Sequence, residues 1–375
     1  MTVRVIHLAI SLQAGGLERL VVDWTNGRNR QAPGSTRIVC LDEAGDLAGQ
    51  VEGQPVVALG ADRGKCPWDR AAVRALRRLL AATGAGADGV VIHSHNLAAQ
   101  QYGVLAAWRG RARHVYTQHG ANLHLLGWRN RWRSRWLNRF TDELIAVSES
   151  TAAAMARNQG IPRSRIRVIP NGVAPHPVYP ASAAAELRTR WGIPADAFVI
   201  GSVGRLAFVK GYDRLLTSFA STAAGVVPLV LLLVGDGPER GRLAAVAARL
   251  GVADRVVFAG LQVEARRFLD VMDLFVLPSR SEGMPVALLE AMAAGLPVAA
   301  TDAGSCRELI DNGRAGILLP EDEAAWPQIL VRVARDGAHR GAMGKTARAR
   351  AEQAYSCATT LAQYEAVYGA STVNT

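Results

Sequence analysis

Arg280-Ser281-Glu282-Gly283-Met284-Pro285-Val286-Ala287-Leu288-Leu289-Glu290 is the stretch that organises the rest of the chain. Two carboxylates stand eight positions apart, with Gly283, Pro285 and an apolar run between them. The preceding residues 273–279 read as a short buried strand that ends in a loop. Pro285 suits the first turn of a helix, where a missing N–H is no loss. Glu282 then falls in the loop at the mouth of that helix, and Glu290 about two turns further in. The two acids reach one crevice from different depths, at the carboxyl end of a strand, where open α/β sheets bind ligands. An ionised carboxylate only accepts hydrogen bonds and suits vicinal hydroxyls. The free N–H groups of a helix start favour an anion. Hydroxyls with an anion describe a sugar phosphate or a nucleotide sugar. The same spacing also fits a capping acid followed by a solvated helix glutamate.

Around this stretch, strand-like runs at 198–203, 229–234, 255–259, 274–277, 298–301 and 316–319 alternate with helical patterns. Earlier in the chain the same alternation appears, with strand-like runs at 3–10, 37–41, 55–59, 89–93, 114–117, 143–147 and 165–169. Helical patterns occupy 68–82, 97–108, 128–140 and 150–158. Such alternation predicts doubly wound α/β domains. Pro170-Asn171-Gly172 and the proline-rich 173–180 read as a linker. The expected division is 1–172 for a first Rossmann-like domain, 173–195 for the linker and entry to the second, and 196–355 for the second domain. Residues 356–375 are expected to form a last helix returning to the first domain, followed by a frayed tail at 371–375.

The length of 375 residues suits more than one domain, and 49% hydrophobic with 20% charged residues is a globular composition. Apolar runs are too short to span a bilayer, and the first residues lack a signal-peptide pattern. Cys40, Cys66, Cys306 and Cys357 are widely spaced and form no metal or redox motif. A reduced, cytoplasmic setting is therefore expected. Net charge is +11, and among 43 basic residues the lysines are Lys65, Lys210 and Lys345. Between Asp88 and Asp142 there are eight arginines and no acid, a one-sided field that attracts anionic partners.

Further constellations carry chemistry. Arg205 and Lys210 flank the loop after the 198–203 strand; a guanidinium fork with an ammonium suits a diphosphate. Gly15-Gly16 at the first strand–helix turn permits close backbone approach, or marks a tight turn alone. The pair forms neither a dinucleotide fingerprint nor a P-loop. His119, ending the 114–117 strand, is a candidate polar group able to donate, accept or carry charge. His93-Ser94-His95 is read here as placing its two imidazoles on opposite faces, so no metal site is expected. Trp128, Trp132, Trp136 and Phe140 recur every four residues as one helical stripe, interleaved with Arg129, Arg131, Arg133, Arg135 and Arg139. A stripe of this kind is either core or a membrane-surface element. No nucleic-acid recognition motif accompanies the charge.

These residues together resemble the retaining glycosyltransferases of the GT4 class. The matches run in order through Gly15-Gly16-Leu17-Glu18, His119-Gly120, Val147-Ser148-Glu149, Ile169-Pro170-Asn171-Gly172-Val173 and Val203-Gly204-Arg205-Leu206 with Lys210-Gly211. They continue through Val234-Gly235-Asp236-Gly237-Pro238 and the Glu282–Glu290 block to Glu308. The resemblance implies a GT-B architecture: two Rossmann-like α/β domains facing across a cleft, the first taking the acceptor. It implies that Arg205 and Lys210 hold the donor diphosphate. Glu282, with backbone N–H groups from Gly283 and Met284, would take the donor sugar, and Glu290 the ribose hydroxyls. Gly15 and Gly16 would approach the donor phosphate and acceptor, and His119 the donor sugar. It implies retention of configuration with no cofactor and no bound metal, the leaving charge being stabilised electrostatically. The expected partners are a nucleotide sugar and a glycan or lipid-linked acceptor. The expected setting is bacterial exopolysaccharide or lipopolysaccharide assembly, cytoplasmic or peripheral at the inner membrane face through 128–140.

Three rival readings remain at this stage. Another enzyme of the same architecture, a sugar-nucleotide epimerase or a phosphorylase, would use the nucleotide or phosphate site without this acceptor. A non-enzymatic module for anionic surfaces would use the basic stripe and leave Arg205, Lys210, Glu282 and Glu290 without a role. A nicotinamide-dependent dehydrogenase would need the missing glycine fingerprint.

Overall fold

A computed structural model describes residues 3–63, 68–83, 89–108, 112–120, 127–180, 182–223 and 228–369. Lys65, Cys66 and the 371–375 tail lie outside the described residues. The chain divides into two compact units, Met1–Gly172 with Cys357–Thr375, and Val173–Ser356.

Among the described residues, the first unit is built on seven parallel strands: β1 Arg4–Ala9, β2 Thr36–Cys40, β3 Val57–Ala58, β4 Val90–His95, β5 Arg113–Gln118, β6 Glu143–Ala146 and β7 Ile166–Val168. They lie in the order β3-β2-β1-β4-β5-β6-β7, so the direction of winding reverses between β1 and β4. The helices are α1 Gly16–Gln31, α2 Arg70–Ala82, α3 Asn96–Ala107, α4 Trp128–Asn138 and α5 Glu149–Gln159. Apolar runs make these strands because both sheet faces are covered. On one face Ile6, Leu8, Val39 and Ile92 pack with Ala72, Leu76, Ala99 and Tyr102 of α2 and α3. On the other, Ile38 and Cys40 pack with Val21 and Val22 of α1. The second half of α1 carries Thr25, Asn26, Arg28 and Asn29, buried polar residues that an apolar periodicity misses.

The second unit begins with α6 Ala183–Arg190, inside the segment read from sequence as linker and domain entry. Its buried Ala183 and Leu187 anchor it. Six parallel strands follow among the described residues: β8 Phe198–Val203, β9 Leu229–Val234, β10 Val256–Gly260, β11 Leu274–Leu277, β12 Val298–Thr301 and β13 Ile317–Leu319, ordered β10-β9-β8-β11-β12-β13. The winding reverses between β8 and β11. Helices α7 Tyr212–Ala223, α8 Arg240–Arg249, α9 Val286–Ala293, α10 Cys306–Leu309, α11 Trp326–Arg335 and α12 Gly337–Ala354 complete the unit. Leu215, Phe219, Leu243, Leu330 and Val333 close one face over Ile200, Leu231 and Val276.

Helix α13 Cys357–Gly369 belongs to the first unit. Its Tyr364 and Tyr368 are buried; Tyr364 Oη lies 3.1 Å from Thr117 Oγ1, and Tyr368 Oη 2.8 Å from His93 Nδ1. Buried Arg28 of α1 pairs with Glu365 and donates to Thr36 Oγ1 at 2.9 Å and Val3 O at 3.1 Å.

Helix α4 decides one alternative left open by the sequence. Trp132 is 66% exposed and Trp136 44%, with Phe140 exposed just beyond the helix end. The buried face is Ser134, Leu137 and Asn138 instead. Asn138 accepts from Gln100 Nε2 at 2.7 Å and donates to Gln159 Oε1 at 3.3 Å. Among the described side chains, Leu137 and the pairing of Asn138 rather than Trp132 or Trp136 seat this helix; the side chains of Trp128 and Arg129 lie outside the described residues. Its outward aromatics gather with exposed Trp108, ring centroids lying 6.2 Å apart for Trp108–Trp136 and 4.8 Å for Trp136–Phe140.

Candidate functional site

In the second unit the candidate residues collect at the carboxyl ends of β8 and β11, where the winding reverses; ligands bind there in open α/β sheets. The loop after β8 carries Arg205 and ends in a short 3-10 turn, Phe208–Lys210. Gly211 then adopts φ +67°, and a Cβ there would meet Pro278 O at 2.1 Å. Only glycine lets this loop fold tightly against the end of β11. That approach brings Lys210 Nζ to 2.7 Å from Glu282 Oε1. Ser279 Oγ donates to the same oxygen at 2.6 Å. The Glu282 side chain is 8% exposed and that of Lys210 25%. Both donors converge on Oε1, and Oε2 accepts no hydrogen bond among the described residues. Arg205 is exposed, and its guanidinium makes no ion pair among the described residues.

Pro285 is the cap of α9, with φ −73° and ψ 112°, one position earlier than the sequence reading placed it. Its carbonyl accepts from Leu289 N at 3.3 Å. The ring fixes φ suitably for a helix start, but ψ remains extended. Gly283 and Met284 are buried between Glu282 and this cap. Gly283 O accepts from Ser305 N and Oγ, each at 3.1 Å. A Cβ on Gly304 would meet Glu282 O at 2.4 Å, so the β12–α10 turn presses directly on the loop. Glu290 sits in the second turn of α9, and its Oε1 accepts from Arg266 Nε at 2.7 Å. The sequence reading missed Arg266, which lies in the 3-10 turn Ala265–Val271.

In the first unit Gly15 and Gly16 are exposed at the start of α1. Gly15 is extended, with φ −164°, a conformation open to any residue. A Cβ there would instead meet Glu18 Oε2 at 2.3 Å, so the Glu18 carboxylate folds back over the helix start. Burial raises the Glu18 pKa, an effect partly opposed by a backbone hydrogen bond.

His93 and His95 require a correction. Side chains two apart on a strand share a face, and β4 extends to His95. The two rings are 4.2 Å apart between centroids, and His7 of β1, paired with His93 in register, lies 5.2 Å from each. His7 Nδ1 is 3.0 Å from His95 Nε2, and His95 Nδ1 is 3.1 Å from His119 Nε2. His119 N donates to Oδ1 of Asn96, a non-glycine residue in the left-handed region at φ 65°. Burial pushes the pKa of His7 and of His119 down to about 3. His93 and His95 are held well below the usual range by burial and their neighbours. His119 is therefore a neutral imidazole tied into a chain of imidazoles, not a cation near neutral pH. His7, His93 and His95 offer nitrogens within 4.8 Å of one another, a donor set of the kind that holds transition metals. Both nitrogens of His93 and His95 are already engaged in hydrogen bonds, however, and Arg28 adds positive charge beside His7. The arrangement fits a hydrogen-bonded core better than a dication site.

Residues 3–176 match the family described as Glycosyltransferase Family 4, and residues 197–336 match Glycosyl transferases group 1. A D-inositol 3-phosphate glycosyltransferase of Streptosporangium roseum is 32% identical over 308 residues, covering 76% of this chain and 70% of the relative. This chain belongs to the group 1, family 4 glycosyltransferases. A 2-deoxystreptamine glucosyltransferase of Streptomyces kanamyceticus is 32% identical over 186 residues. That match covers 48% of each chain; against several curated relatives the glycosyltransferase described here spans about half of their length. The fold is GT-B. HepE of Anabaena, in a structure with UDP and glucose, superposes with a TM-score of 0.83 at 23% identity, covering 98% of this chain and 100% of HepE. WaaG, a glycosyltransferase involved in lipopolysaccharide biosynthesis, gives 0.72 at 19% identity, covering 98% and 100%. Among the described residues no helix is long and apolar enough to cross a membrane.

Proposed function

We propose that this glycosyltransferase moves a sugar, with retention of anomeric configuration, from a nucleoside-diphosphate sugar to a glycan or lipid-linked acceptor. The observation that carries the reading is the buried Glu282 carboxylate, which has both its donors on one oxygen beside the start of α9. Its other oxygen is left for hydroxyls of a donor sugar. Arg205 and Lys210 supply positive charge to the diphosphate and stabilise it as the bond to the anomeric carbon breaks. The N–H groups of Gly283, Met284 and the first turn of α9 add a fixed dipole. Glu290 accepts from the ribose hydroxyls. To Gly15 and Gly16 we assign the acceptor and donor phosphate, and to His119, a neutral imidazole, the donor sugar. The reaction needs no metal and no cofactor in this reading, because these groups offset the charge on the leaving group.

Support for the donor class comes from HepE, whose structures hold UDP and UDP-glucose. Support for a role in surface polysaccharide assembly comes from the fold shared with WaaG. The exposed Trp108, Trp132, Trp136 and Phe140 beside exposed Arg131, Arg135 and Arg139 fit an anionic membrane surface that holds a lipid-linked acceptor. Such a protein works on the cytoplasmic side of the membrane, where nucleotide sugars are made. A panel of nucleotide sugars screened by thermal shift tests the reading, because a ligand of the folded state raises the apparent stability. The expected result is stabilisation by one donor and slow release of its nucleoside diphosphate. No stabilisation by any nucleotide sugar would refute it.

A further inference from the structure

Glu290 is not free to swing. It stands on α9, and its Oε1 is held by Arg266 Nε at 2.7 Å, with the two side chains 11% and 14% exposed. The contact runs through Nε, the guanidinium nitrogen nearest the stem. The turn that carries Arg266 is itself pinned on both sides. His176 Nε2 lies 2.8 Å from Asp270 Oδ1, Tyr179 lies under the Arg267 guanidinium at 5.6 Å, and α6 packs against the same turn. A largely buried carboxylate gripped at one oxygen by an anchored cation keeps its second oxygen in one place.

We propose that Arg266 is a positioning residue for nucleotide recognition: it fixes Glu290 so that the remaining oxygen meets the ribose hydroxyls of the donor. This rests on the assignment of Glu290 to the ribose given above. Arg266 touches no nucleotide itself. Its effect is confined to the part of the affinity that depends on the 2′ and 3′ hydroxyls.

The test separates this role from ordinary support of the fold. Calorimetry on the full chain measures affinity for UDP, GDP and ADP and for their 2′,3′-dideoxy forms. For the tightest base, the parent protein is expected to prefer the ribonucleotide on the order of 10- to 100-fold, as hydrogen bonds to a charged group imply. Arg266→Ala and Arg266→Lys should both bring that preference to within about threefold of unity, since lysine keeps the charge but lacks the fixed fork. Affinity for the dideoxy form should stay unchanged in both. If either folded variant weakens ribo and dideoxy forms equally and keeps the preference, Arg266 only supports the fold and the proposal fails. Glu290→Gln is measured alongside. A preference that survives in Glu290→Gln, or is absent from the parent, overturns the ribose assignment itself and the proposal with it. Loss of preference in Glu290→Gln but not in the Arg266 variants overturns only the positioning role.

Discussion

Replacing Glu282 by Gln perturbs the site while nearly keeping its shape. In the native arrangement Lys210 Nζ and Ser279 Oγ reach the same oxygen, at 2.7 and 2.6 Å. An amide oxygen can still accept both, but the charge that held Lys210 is gone. Hydrogen bonds to charged groups contribute about 1.5–3 kcal/mol, whereas breaking a fully buried pair costs about 3–5 kcal/mol. Because the Lys210 side chain is 25% exposed and water can reach it, the lower range applies. For a unit of roughly 180 residues that corresponds to a fall in melting temperature of about 3–12 °C. Binding should change in the opposite sense for one ligand. Removing a carboxylate near the diphosphate frees Lys210 for it, so affinity for the free nucleoside diphosphate should stay equal or rise. Transfer should fall by about 10- to 100-fold, the loss of one charged hydrogen bond to the sugar. Calorimetry with the diphosphate, beside product release from the intact nucleotide sugar, reads both effects. A variant that loses diphosphate affinity as strongly as Glu290→Gln would refute the division of labour between the two acids.

Arg205→Ala or Lys210→Ala should each weaken nucleotide-sugar binding and slow transfer by about tenfold or more, as expected for loss of a charge-assisted contact; unchanged calorimetric affinity and rate in both would remove them from the diphosphate site. Transfer should persist in excess chelator, and a rate abolished by EDTA and restored by a divalent ion would contradict the metal-free reading. Arg131, Arg135 and Arg139 replaced together by Gln should reduce sedimentation with anionic vesicles, by about 1 kcal/mol for each charge at low salt. Trp132→Ser should reduce it too without lowering the melting temperature, because this indole is 66% exposed. Equal vesicle binding by parent and variants would exclude the membrane role. The first unit should lose stability as pH falls from about 6.5 towards 3. His7 and His119 have depressed folded pKa values of about 3, so the unfolded chain binds protons that the folded one does not. Each such imidazole should subtract about 1.4 kcal/mol one pH unit below its unfolded value. A His7→Asn variant with the same pH slope would contradict this.

The strands were legible because a parallel sheet covered on both faces needs continuous apolar runs. Residues 198–203, 229–234, 274–277 and 298–301 coincide with β8, β9, β11 and β12. The loop after β8 and the block after β11 were legible as polar punctuation at strand ends. What brings them together, the approach of Gly211 to Pro278, is a three-dimensional fact without a local signature. The histidine cluster was misread for two reasons. The strand was ended at His93, and the two-residue period was applied with the wrong sign. Arg266 gave no signal, because Glu264-Ala265-Arg266-Arg267 looks like any solvated charge run and its partner lies 24 positions on. The α4 stripe shows a further limit. Periodicity said that the aromatics share a face, but not that Asn138 would turn inward to meet Gln100 and Gln159, with Ser134 and Leu137 buried on the same side.

Helix α13 gives the chain an unusual order of assembly. The first unit is begun at residue 4 and closed by residues 357–369, so the whole of 173–356 leaves the ribosome in between. Until then His93 and Thr117 lack the tyrosine hydroxyls that meet them, and buried Arg28 lacks its acidic partner. The later unit can complete its core while the earlier one still waits. In a chain cut before α13, the side of His93 and Thr117 that meets these tyrosines would be left uncovered. A permuted chain that begins with α13 and continues into β1 would let the units form one after the other, turning an interleaved assembly into a sequential one.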